Sequence, residues 1–174
     1  EFHERSLQAD LGLAFARESQ RLFREDLRLL VMSATLDCAA VTSLLSDATT
    51  ISCEGRLFPV TTHYLDRPIE GHIEPAVVRS IKAALAKESG SLLVFLPGMA
   101  EIRRVEGQLH EGRLDPDVII APLHGELPQA EQDQAIRPAP SGSRKIVLAT
   151  SIAETSLTIE GVRVVIDAGL MRIP

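Results

Sequence analysis

Five short, largely apolar runs punctuate the chain: Leu29–Met32, Leu92–Leu96, Val118–Ala121, Ile146–Ala149 and Val162–Ile166. They do not alternate strictly with polar residues, which is the pattern of strands buried on both faces. Helical patterns lie between them. Leu7, Leu11, Ala14, Phe15 and Leu22 share one face; so do Ile73, Val77, Ile81, Ala84 and Leu85, with Pro75 suited to a first turn; so do Met99, Ile102, Val105 and Leu109. A short helix is expected near 38–45 and a weak strand over Thr50–Cys53. Strands and helices that alternate at this spacing predict an α/β fold, a parallel sheet flanked by helices. The turn-rich stretch 46–56 predicts a junction near 54–58, dividing the chain into 1–54 and 55–174. The first part has too few elements for a complete sheet domain. It is expected to be poorly placed and to leave the Leu7–Leu22 stripe seeking cover in a neighbour or a second copy. Pro138–Ser143 reads as a surface loop.

Composition narrows the class. The chain has 174 residues, 45% hydrophobic and 24% charged, which excludes disorder as the main state. No apolar run approaches the ~18 residues of a membrane span, and the first residues carry no secretory signal. The two cysteines, Cys38 and Cys53, fit buried small hydrophobes in a reducing, cytoplasmic setting. A net charge of −6, 3% aromatic residues and no Trp predict neither bulk attraction to nucleic acid nor a stacking platform. Contact with a polyanion would come from a few placed neutral donors.

Such donors follow the apolar runs. Ser33-Ala34-Thr35, Pro97-Gly98, His124-Gly125, Thr150-Ser151 and Asp167-Ala168-Gly169 each stand where a strand would end. In an open parallel sheet, ligands bind outside the carboxyl ends of the strands. Small residues there let backbone amides approach a phosphate. Turns and helix caps use the same residue types, so composition and spacing leave both readings open. Glu1-Phe2-His3-Glu4-Arg5 could serve a metal or proton transfer, or be a solvated chain start. His63, His72, His110 and His124 show no ligand spacing, and no Gly-x-x-x-x-Gly-Lys-Ser/Thr loop occurs.

The ordered set of motifs resembles a known family. Glu1-Phe2-His3-Glu4-Arg5 resembles the end of the Asp-Glu-x-His motif of DEAH-box (DExH) ATP-dependent RNA helicases. Ser33-Ala34-Thr35 resembles their Ser-Ala-Thr motif, Leu92–Ile102 their fourth motif and Ala149–Ile159 their fifth. Val162–Leu170 resembles the segment after it, and Phe2 with the following RSLQADL is most similar to the bacterial HrpB type. The resemblance covers essentially the whole chain and implies a piece of a longer protein. Residues 1–54 would be the tail of a first RecA-like domain and 55–174 most of a second, truncated before its last motif.

The resemblance also implies roles. ATP and Mg²⁺ would lie between the two lobes of the parent, and single-stranded RNA, or possibly DNA, would cross their top. Glu1 would orient and deprotonate the attacking water near Mg²⁺, and His3 would sense the facing domain. Ser33, Thr35, Thr155 and Thr158 would couple the nucleotide site to RNA grip. Gly98, Met99, Thr150 and Ser151 would meet the nucleic acid; Ile136 and Asp167 would meet the nucleotide. Two positions depart from the pattern: Ser151 stands where Asn is usual, and Ile136 where many relatives stack a Phe on adenine, which predicts weak preference among nucleotides. With the phosphate cradle and the arginine-bearing motif both outside the chain, the fragment is expected to be inactive and to hold no cofactor tightly. Its expected partners are the remaining first-lobe residues and RNA, with no membrane and possible self-association. The alternatives are a non-catalytic RecA-like binding module and a flavodoxin-like domain for a small phosphate ligand.

Overall fold

The computed structural model describes every residue except 1, 35–37, 46–47, 54, 56–57, 67, 155–157 and 173–174, together with the side chain of Cys38. The chain forms two compact units, Glu1–Thr62 and His63–Pro174.

In the first unit a 3₁₀ turn, Phe2–Glu4, precedes the helices α1 (Leu7–Leu22) and α2 (Cys38–Leu44). The Ser6 hydroxyl caps α1 by accepting the Ala9 amide at 3.1 Å. α1 buries none of its residues, and its stripe lies open: Leu7 is 78% exposed and Phe15 64%. Two expected strands do not form. Leu29–Met32 and Thr50–Cys53 run without a ladder, because a strand exists only through partners. Met32 is tied back by a bond from the Phe2 amide to its carbonyl at 2.9 Å. Cys53 is exposed rather than buried, since it stands on that unpaired stretch.

The second unit carries the sheet. Its elements are α3 (Glu74–Lys87), β1 (Ser91–Phe95), α4 (Met99–Glu111), β2 (Val118–Leu123), α5 (Gln129–Ile136), β3 (Arg144–Ala149), a 3₁₀ turn at Ser151–Ala153 and β4 (Val162–Asp167). The four strands are parallel throughout, in the order β2-β3-β1-β4. The expected parallel α/β sheet is therefore present, built from the four later apolar runs. Alternate side chains feed two cores, as the pleat requires. On one face Leu92, Val94, Ile146 and Leu148 pack with Val77 and Ile81 of α3 and Ile102, Val105 and Leu109 of α4. On the other, Val147, Ala149 and Leu123 pack with Ala135 of α5 and with Ala153 and Ile159.

The first two residues of β3 finish a helix on each face. The Arg144 guanidinium donates to the Leu85, Glu88 and Gly90 carbonyls, each at 2.8 Å, closing the end of α3. The Lys145 ammonium does the same for α5 from within the core, where burial pushes its pKa down. Gly90, between α3 and β1, has φ +84°, and a Cβ there would come within 2.8 Å of the Arg163 side chain. The turn thus needs glycine for both conformation and space.

Candidate nucleotide and nucleic-acid rim

Parallel register brings the four strands to a common finish: Phe95 stands opposite both Ala149 and Asp167, and Leu123 opposite Ala149. Three backbone bonds continue past the strands. The Leu96 amide donates to the Ala149 carbonyl at 2.8 Å, Thr150 to Leu123 at 3.2 Å and Ala168 to Phe95 at 3.2 Å. These bonds set Thr150-Ser151, Pro97-Gly98 and Asp167-Ala168-Gly169 side by side along one edge. Thr150 is half-buried and begins the 3₁₀ turn; Ser151 is exposed. Gly98 is buried and directly precedes α4, whose first residue is the half-buried Met99. The Asp167 carboxylate accepts the Gly169 amide at 2.8 Å, tightening the turn after β4. A cavity of about 220 Å³ opens beside Met99, with Arg103 and His124 on its wall.

Behind this edge lies a chain of charges. Glu74 is buried in the first turn of α3 and paired with Arg104. Arg104 also donates to Glu101 in the first turn of α4 at 2.8 Å, and Arg172 reaches Glu101 at 3.2 Å from beyond β4. Both carboxylates sit where a helix dipole favours negative charge. Burial alone would push the Glu74 carboxyl up; its backbone hydrogen bond, Arg104 and nearby His72 outweigh that and hold it below the ordinary range. The chain of charges ties the start of α4 to the segment after Asp167. A Cβ on Gly98 would come within 3.0 Å of Arg172 Nε and 3.2 Å of Glu101 Oε2, so a larger residue there would press on the pair.

Of the residues expected to act, Gly98, Met99, Thr150, Ser151 and Asp167 share the edge. Ile136 does not. It ends α5 beside the start of β3, at the opposite end of the sheet. Thr158 is exposed, just before the buried Ile159. In the first unit the Ala34 amide donates to His3 Nδ1 at 3.1 Å, which joins the His3 turn to the segment carrying Ser33. Glu1, Thr35 and Thr155 lie outside the described residues. Sequence reading missed Glu101 and Lys145. Glu101 stands three residues before Arg104, a helical ion-pair spacing that was legible. A lysine beside an apolar run gave no such signal.

A parallel α/β sheet with small and hydroxyl residues at its carboxyl edge defines a class, and comparison with known proteins places the chain in it. The chain belongs to the family of the helicase conserved C-terminal domain, whose model matches residues 76–173. It is 51% identical over 173 residues to the ATP-dependent RNA helicase HrpB of Escherichia coli strain K12, covering 99% of this chain and 21% of that protein. Its structure is similar to the crystal structure of the E. coli DEAH/RHA helicase HrpB, with a TM-score of 0.88, 51% identity and coverage of 99% of this chain and 22% of that one. A crystal structure of the E. coli DExH-box NTPase HrpB matches with a TM-score of 0.81 at 51% identity, over 99% of this chain and 21% of that one. The HrpB-type resemblance is thus borne out, and the chain spans about a fifth of the length of these relatives.

Proposed function

We propose that the chain is the part of an ATP-dependent RNA helicase in which nucleotide hydrolysis is coupled to grip on a single strand. The observation that carries this reading is the level carboxyl edge, where Thr150-Ser151 and Gly98-Met99 lie next to each other on adjacent strands. Amides and hydroxyls at that edge can hold successive phosphates without any net positive charge. Asp167 shares that edge with the nucleic-acid residues, so of the two expected nucleotide contacts Ile136, at the opposite end of the sheet, is the one that would meet the base. ATP with Mg²⁺ supplies the phosphoryl-transfer chemistry when bound. The resemblance implies that the ligands of Mg²⁺ come chiefly from the rest of the parent. In this reading Glu1 aligns the attacking water, and the bond between His3 and the Ala34 amide carries the state of the acidic motif to Ser33 and Thr35. The open α1 stripe would be covered by the rest of the first lobe or by a second copy. Among the described residues no helix is long and apolar enough to cross a membrane.

The test uses the full-length parent. Thr150→Ala should reduce RNA-stimulated ATP hydrolysis at least several-fold while leaving RNA-independent hydrolysis largely intact. Equal loss of both activities, or none, would remove the edge from nucleic-acid binding. The fragment alone should show no ATPase above a Glu1→Gln control.

A further inference from the structure

We propose that Lys145 is a positioning residue for nucleotide binding, holding the end of α5 on which Ile136 stands. This rests on the reading of Ile136 as a base contact. Lys145 is 5% exposed, and its Nζ donates to the Gln134 carbonyl at 2.9 Å, Ala135 at 3.3 Å and Arg137 at 2.6 Å. An ammonium has three donors, so all are used. Their acceptors bracket Ile136 on both sides. They include carbonyls that a helix end leaves without partners.

Besides Lys145, α5 is held by the packing of Ala135 and of half-buried Ile136 against the second core, and by Gln132 donating to the Leu127 carbonyl at 2.8 Å. Only Ala135 of its eight residues is fully buried, and the backbone turns extended at Arg137 immediately afterwards. An apolar side chain would suit the core position of Lys145 better on stability alone, because burying an ammonium is costly. Only a multi-donor cation holds the three carbonyls together.

Arg144 supplies an internal control. It closes α3 by the same chemistry on the opposite face, yet α3 has Ala76, Val77, Val78 and Ile81 buried as well and does not carry Ile136. The pair therefore separates loss of stability from loss of base placement.

The experiment measures ATP hydrolysis by the full-length parent at saturating RNA for Lys145→Met, Lys145→Gln, Arg144→Met, Ile136→Ala and the double variant Lys145→Met/Ile136→Ala. Lys145→Met should raise the KM for ATP about ten-fold, the size of one good contact, with kcat within about two-fold. Lys145→Gln, keeping two donors, should fall between it and the parent, and it serves alone if the Met variant does not fold. Arg144→Met should lower the melting temperature without moving KM. The double variant should match Ile136→Ala rather than multiply the two effects. If Ile136→Ala raises KM and the folded Lys145 variants do not, the positioning role is overturned. Multiplicative effects in the double variant would overturn it too. If Ile136→Ala leaves KM unchanged, the base contact itself fails, and with it the role assigned to Lys145.

Discussion

α1 and α3 have apolar residues at the same helical spacing, yet α3 buries its stripe and α1 does not. Ile81 of α3 is fully buried between the sheet and α4, whereas Phe15 of α1 lies open. The spacing of apolar residues therefore dictates that a helix forms and which face is sticky. It does not dictate that the face is covered. Coverage comes from the partner surface, and the second unit supplies one while the first leaves α1 bare.

The difference can be broken most sharply by truncating matched side chains. Ile81→Ala should destabilise the second unit by about 2–5 kcal/mol, since it leaves a void in a closed core. Phe15→Ala should cost less than about 0.5 kcal/mol in this chain, as exposed positions do. Denaturant unfolding of the two variants measures both. A large loss for Phe15→Ala would mean that the α1 face is covered in solution.

A smaller effect comes from the buried charge of the second unit. The Glu74 carboxyl is held below its ordinary range in the folded state, so its ion pair stabilises above that range and the contribution fades as pH falls through it. Glu74→Gln should lose about 1–3 kcal/mol at neutral pH, with Arg104 left to solvent on its open side. The variant's stability should also fall less steeply in acid than the parent's. An unchanged acid limb in a pH series of thermal melts would remove Glu74 from that role. Ser6→Ala should cost α1 about 1 kcal/mol of helix stability, read as lost helical circular dichroism in a peptide spanning residues 1–24.

Much of the second unit was legible. Its four apolar runs are its four strands, and the small residues after them share an edge because parallel register aligns strand ends. Leu29–Met32 was misleading, because an apolar run records willingness to enter a sheet while the ladder depends on distant residues. α5 was invisible for the opposite reason. QAEQDQAI offers no stripe, and its helix is supported by local contacts such as Gln129 to Asp133 at 2.8 Å and by the cation beneath its end. The pairing of Lys145 with that end spans eight to eleven residues and no periodicity announces it. The edge residues could be named from the chain, whereas the reach of Arg172 to Glu101 and the crowding over Gly98 required distant segments to be folded together.

The adjacent cations at the start of β3 have one further consequence. Because consecutive residues of a single strand terminate helices on both faces, fraying of that strand end would release both helix termini at once. Amide hydrogens in the last turns of α3 and α5 would then exchange with solvent in the same event, at the same free energy, although the sheet lies between them.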